Sequence, residues 1–147
     1  MACRTDRRPR WCWAVTERDG SDFGDPLSAP FWQAAARREL VVQRCRRCGA
    51  RQLFARPFCL GCDATDLEWT QVSGLGTIYS MTTVRRQVSP EFPAPHVNAL
   101  VQLDEGPRLL TTIVGGPCAI GDRVRVTWKD RSPSPPLPLF EPVRAEA

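Results

Sequence analysis

The chain has 147 residues, 42% of them hydrophobic and 24% charged, with a formal net charge of +4. That length fits one domain or two small ones. No apolar run approaches the roughly 18 residues of a membrane-spanning helix. Arg7-Arg8 has the outline of a twin-arginine signal, but no apolar core segment follows it, so a cytoplasmic, reducing location is expected.

Residues 1–27 are charged and mixed without periodicity, and a poorly ordered arm is expected there. Trp11 and Trp13 are unusual in such a segment. Ser28-Ala29-Pro30 then opens a short helix, with Ser28 as N-cap and Pro30 in the first turn, where its missing N–H costs little. Phe31, Ala34 and Ala35 would share one face with Arg38, and Trp32 lies beside it.

Leu40-Val41-Val42 reads as a short extended run, and Leu53-Phe54 as the run that pairs with it in a hairpin. Between and after them lie Cys45-Arg46-Arg47-Cys48 and Cys59-Leu60-Gly61-Cys62. Each C-x-x-C pair presents two thiolates from one tight turn, and two facing turns make a tetrahedral sulfur cage. Disulfide frameworks spread their cysteines and accompany export, whereas four of the seven cysteines here fall in two knuckles. A metal site formed by Cys45, Cys48, Cys59 and Cys62 is therefore expected. Zn²⁺ is the favoured ion, although iron fits the same four-thiolate geometry. No ligand position stays open, so the ion would be structural rather than catalytic. Four thiolates and one Zn²⁺ together add −2, which leaves about +2 for the metal-loaded chain. Cys3, Cys12 and Cys118 read as bystander thiols.

After Cys62 the pattern turns to strands: Leu67 to Val72, Thr77 to Val84, Val97 to Leu103, Arg108 to Val114 and Arg123 to Lys129. Gly74 and Gly76 mark a bulge or bend. Residues 133–138 read as a polyproline connector, and Leu139 to Val143 as a last edge strand that tolerates proline. Short strands at this spacing, with little helix, point to a five-stranded OB-fold barrel. Its core candidates are Ile78, Val97, Ala99, Val101, Leu103, Leu110, Ile113, Val124, Val126 and Trp128. The fold class is thus mainly β: a helix and a zinc ribbon over residues 28–66, then a barrel over residues 67–147.

The order helix, zinc ribbon, OB barrel, together with several motifs, resembles a known family. The motifs are Phe31-Trp32, Gln43-Arg44-Cys45-x-x-Cys48-Gly49, Arg56-Pro57-x-Cys59-x-x-Cys62, Ser73-Gly74-x-Gly76-x-Ile78-Tyr79-Ser80, Leu103-Asp104-Glu105-Gly106-x-Arg108-Leu109 and Ile120-Gly121-Asp122-x-Val124. The family is the zinc-ribbon/OB-fold proteins associated with acyl-CoA metabolism, formerly a domain of unknown function. The likeness runs over roughly residues 28–143. It implies a rubredoxin-like ribbon and a non-catalytic accessory subunit that docks on a thiolase-like, aldolase or hydratase enzyme acting on acyl-CoA in lipid, sterol or polyketide metabolism. Acyl-CoA at the interface would bring phosphates, which the pairs Arg46-Arg47 or Arg85-Arg86 could contact. Two departures stand out. The family's second knuckle usually ends in glycine where this chain has Asp63, so Asp63 must adopt the backbone glycine accepts. His96 stands where an aromatic residue is usual.

The residues themselves argue against an enzyme acting alone. His96 is the only histidine, Cys118 has no evident base, the carboxylates are scattered, and Gly115-Gly116 is too short for a phosphate loop. The rival reading is a single-stranded nucleic-acid-binding OB fold, using Tyr79, Trp128, Arg85, Arg86, Arg123 and Arg125. Basic and acidic residues nearly balance in the barrel half, which is not the basic domain such a role calls for.

Overall fold

The computed structural model describes residues 25–87 and 89–144. Most of the N-terminal arm, with Trp11, Trp13, Cys3 and Cys12, lies outside the described residues. Helix α1 covers Ala29–Ala36, with Pro30 in its first turn and Phe31, Ala34 and Ala35 buried. The Ser28 hydroxyl does not cap the helix as expected. It donates instead to the Asp25 carbonyl, 3.0 Å away, in the preceding turn. Arg38 lies beyond the helix in a left-handed conformation (φ 60°) and pairs with Asp130 at 3.0 Å, so it is not part of the buried face.

Three strands form the ribbon sheet: β1 (Val41–Cys45), β2 (Arg51–Gln52) and β3 (Leu67–Gln71), in the order β2-β1-β3, all antiparallel. The expected hairpin forms two residues earlier than the sequence indicated. Gln52, not Leu53-Phe54, lies opposite Gln43, because Ala50 already turns the chain back by accepting a bond from the Cys45 N–H. Phe54 is left outside the sheet and 64% exposed.

The barrel consists of β4 (Leu75–Val84), β5 (His96–Leu103), β6 (Arg108–Ile113), β7 (Arg123–Lys129) and β8 (Leu137–Pro142), closed in the order β4-β5-β6-β8-β7. Glycine is required at two points of close approach. A Cβ at Gly74 would lie 2.4 Å from Val126 Cγ1, and one at Gly76 would lie 2.6 Å from the Gln102 carbonyl. The ladder irregularity falls further on, between Ile78 and Ser80.

One apolar cluster runs from Phe31 and Ala34 through Val41 and Val42 to Ile78, Val101 and Phe140, so helix, ribbon and barrel share a core. Of the expected core, Ile78, Ala99, Val101, Leu103, Ile113 and Val124 are buried, and Val97, Val126 and Trp128 pack against them half-buried. Leu110 is a correction: it is 64% exposed, while Leu109 is the buried residue. Strand residues alternate between faces, so a register one residue off exchanges inside for outside. The last strand is a second correction. β8 is not an edge strand but lies between β6 and β7, and its Phe140 is fully buried. No helix among the described residues is long and apolar enough to cross a membrane.

Candidate metal centre

Cys45, at the end of β1, and Cys48, in the turn after it, face Cys59 and Cys62 of a second turn. The four Sγ atoms lie within 4.8 Å of one another. Cys45 to Cys62 and Cys48 to Cys59 are both 3.6 Å. A tetrahedron with Zn–S bonds of about 2.3 Å has edges of about 3.8 Å, so the thiols already stand at ligand spacing. Cys45 and Cys59 are buried, whereas Cys48 is exposed.

The two turns repeat one another bond for bond. Cys45 N–H donates to Ala50 O at 2.8 Å, and Gly49 N–H to Cys45 O at 2.9 Å. Cys59 N–H donates to Ala64 O at 2.8 Å, and Asp63 N–H to Cys59 O at 2.9 Å. The fifth residue of each turn is left-handed: Gly49 at φ 75° and Asp63 at φ 59°. Asp63 thus takes the conformation that the departure from glycine demanded.

The thiols do not titrate alike. The Cys48 N–H, pointing at Cys45, draws that thiol down to about 7, against the opposing effect of burial. At Cys62 the Ala64 N–H favours the thiolate. Burial and proton sharing with Cys48, Cys45 and Cys59 outweigh it, and the thiol is pushed up to about 12. Such a coupled set loses its first proton easily and its last with difficulty, unless a cation replaces the protons.

Two buried glutamines brace the second turn, a device that hydrophobic pattern does not reveal. Gln43 Oε1 accepts from Gln52 Nε2 at 3.0 Å and from the Arg56 N–H at 2.9 Å, and Gln43 Nε2 donates to Arg56 O at 3.1 Å. Gln52 Nε2 also donates to Phe58 O, and its Oε1 accepts from the Leu60 N–H, both at 3.0 Å. The segment carrying Cys59 is therefore tied to β1 and β2 by side-chain amides.

The two arginine pairs sit on different elements. Arg46-Arg47 lie in the first knuckle, and Arg46 donates to Glu68 at 2.9 Å and forms a looser ion pair with Asp66 at 3.7 Å. Arg85-Arg86 are exposed beyond the far end of β4. Two of the four arginines of the rival reading are engaged: Arg123 grips Asp104 through two bonds of 2.6 and 2.7 Å, and Arg125 bonds Glu141 at 2.8 Å. Arg108 covers the Tyr79 ring at 3.6 Å. Trp128 packs half-buried on the core.

His96 opens β5, with its ring 5.7 Å from Phe92 and its Nδ1 buried without a hydrogen-bond partner among the described residues. Cys118 lies in the loop between β6 and β7, where burial and the nearby Asp122 charge raise its pKa. A thiol so disposed is a poor nucleophile at neutral pH.

A closed four-thiol site on a three-stranded ribbon, fused to a five-stranded barrel, defines a zinc-ribbon/OB-fold protein. Family comparison agrees: residues 32–68 match the ChsH2 rubredoxin-like zinc ribbon domain and residues 69–129 the ChsH2 C-terminal OB-fold domain. A solved structure described as "Ltp2-ChsH2(DUF35) aldolase" contains a chain 34% identical to this one, with a TM-score of 0.76 over 82% of this chain and 98% of that one. The chain belongs to the ChsH2 (DUF35) family.

Among curated relatives, a "Probable enoyl-CoA hydratase alpha subunit" of Thermomonospora curvata is 37% identical over 76% of this chain. A "DUF35 domain-containing scaffold protein" of Methanocaldococcus jannaschii is 35% identical over 51% of it. The alignments span only 36% and 55% of those two relatives' lengths. A DUF35 protein of Sulfolobus solfataricus, 16% identical with a TM-score of 0.62, shares the fold.

Proposed function

We propose that this chain is a cytoplasmic, non-catalytic accessory subunit that holds one structural Zn²⁺ on Cys45, Cys48, Cys59 and Cys62. It docks on and stabilises a thiolase-like, aldolase or hydratase enzyme acting on acyl-CoA. The observation that carries this reading is the match along nearly the whole ChsH2(DUF35) chain of a structure described as an aldolase. The site supports it. Four thiolates saturate a tetrahedral ion and leave no position for water or substrate. Among the described residues, His96 and Cys118 form no nucleophile–base pair.

In this role Zn²⁺ fixes the two knuckles against each other, because a ribbon of three short strands has too little apolar area to fold alone. Of the four candidate arginines, Arg47, Arg85 and Arg86 are exposed and available to acyl-CoA phosphates, since Arg46 is held by Glu68 and Asp66. The test is co-expression with the thiolase-like, aldolase or hydratase protein encoded beside it. A stable stoichiometric complex containing one zinc per chain is expected. A chain that purifies alone with every such enzyme, or that carries no metal, overturns the proposal.

A further inference from the structure

β6 and β8 run parallel and meet at a single register pair, Ile113↔Phe140. From Arg108 to Thr112, therefore, β6 forms no regular backbone ladder with β8. Pro138 is one reason, because it has no N–H to offer across the seam. The gap is bridged instead by the Thr111 hydroxyl, which donates to Pro138 O at 3.0 Å. Beside this seam, where α1, the ribbon and the barrel meet, lies a cavity of about 280 Å³. Its walls include Phe31, Trp32, Phe54, Trp69, Leu110 and Leu137. Phe54 and Leu110 are each 64% exposed around it. An open strand edge beside an apolar hollow is a receptor for an extended segment with large apolar side chains on one face.

The chain contains such a segment. Trp11-Cys12-Trp13 puts two indoles two residues apart, hence on the same face when extended. The described structure begins at Asp25, which is itself part of the cavity wall. Residues 14–24 connect the two, a length that can span on the order of 35 Å and also fold back. A tether of that kind holds its end at an effective concentration in the millimolar range. We infer that the seam between β6 and β8 is the docking site for this chain's own Trp11–Trp13 segment, with the indoles in the apolar cavity and the backbone along the open edge at Leu110.

The experiment uses the full zinc-loaded chain. Chymotrypsin must take an indole into its own pocket to cut after Trp11 or Trp13, so docked indoles are protected. Clipping at these two bonds is followed by intact mass, in the wild type and in Leu110→Asp and Phe54→Asp. Both replaced side chains are exposed, so the fold should persist, and circular dichroism checks this for each. Cleavage slower than in a free peptide of residues 1–24, and accelerated at least about tenfold by either variant, is the expected result, since cleavage tracks the open population. Wild-type cleavage as fast as in the peptide, or protection that neither variant relieves, overturns the inference. Protection that grows with protein concentration would assign the site to a second copy. Protection that needs an added partner enzyme would assign it to that enzyme. Either outcome also overturns it.

Discussion

The two knuckles reach one geometry from different residues. The first, Cys45 to Ala50, ends in glycine at φ 75° and is part of the β1–β2 hairpin, so sheet hydrogen bonds hold it. The second, Cys59 to Ala64, has Asp63 at φ 59° and lies in no strand. It repeats the same backbone bonds within 0.1 Å, held by the amides of Gln43 and Gln52. A metal-ligating turn is thus specified by its bond pattern, and either a sheet or buried side-chain amides can impose it.

Removing a ligand is the strongest way to break this equivalence. Cys48→Ser and Cys62→Ser should each drop zinc from one per chain to near none and unfold the ribbon. The apparent binding energy of such sites, about 10–16 kcal/mol, rivals a whole domain's stability. Metal analysis with circular dichroism checks this, and unequal losses would show that one knuckle dominates.

Gln52→Leu attacks only the second knuckle. It removes the partners of the Phe58 carbonyl and the Leu60 N–H and one of the two donors to Gln43 Oε1, and a polar group left unpaired away from water costs about 1–3 kcal/mol. The expected outcome is a loss of about 3 kcal/mol in denaturant unfolding, with zinc transfer to a chelator faster than in the wild type.

Asp63→Gly should stabilise by about 1 kcal/mol, and Gly49→Ala should destabilise by a similar amount, because a left-handed residue with a Cβ is strained. Chemical denaturation of the zinc-loaded protein separates the two.

The smallest effect lies outside the knuckles, as a control on the barrel. Arg123 holds the Asp104 carboxyl below the usual aspartate range. A depressed folded-state pKa contributes stability above the unfolded value, near 3.9, that is lost as pH falls through the folded one. The melting-temperature gap between wild type and Asp104→Asn should therefore be small and constant above about pH 5, and close in stronger acid.

Cysteine spacing made the four-thiol cluster legible in the sequence, because two C-x-x-C turns have few other uses. The barrel was legible in its clean alternations, as at Val124 and Val126. What escaped was set by longer-range geometry. Leu109 and Leu110 are adjacent leucines after a turn, and only the pairing with β5 decides which faces inward. Leu139 to Val143 read as an edge strand, yet β8 begins at Leu137 inside the barrel, and it tolerates Pro138 because its β6 side carries almost no ladder. Gln43 and Gln52 are buried polar residues, invisible to a search for apolar period.

The place of β8 between β6 and β7 also orders the chain in time. The ribbon sheet is complete once Gln71 has been synthesised, and β4 to β7 follow as an open sheet. Nothing can seal β6 toward β7 until residues 137–142 emerge from the ribosome. During that interval Ile78, Val101 and Val124 line a trough instead of a core. The ribbon has all its strands and cysteines by then, but Val41 and Val42 still wait for Phe140, so the core they share is completed only by the last strand.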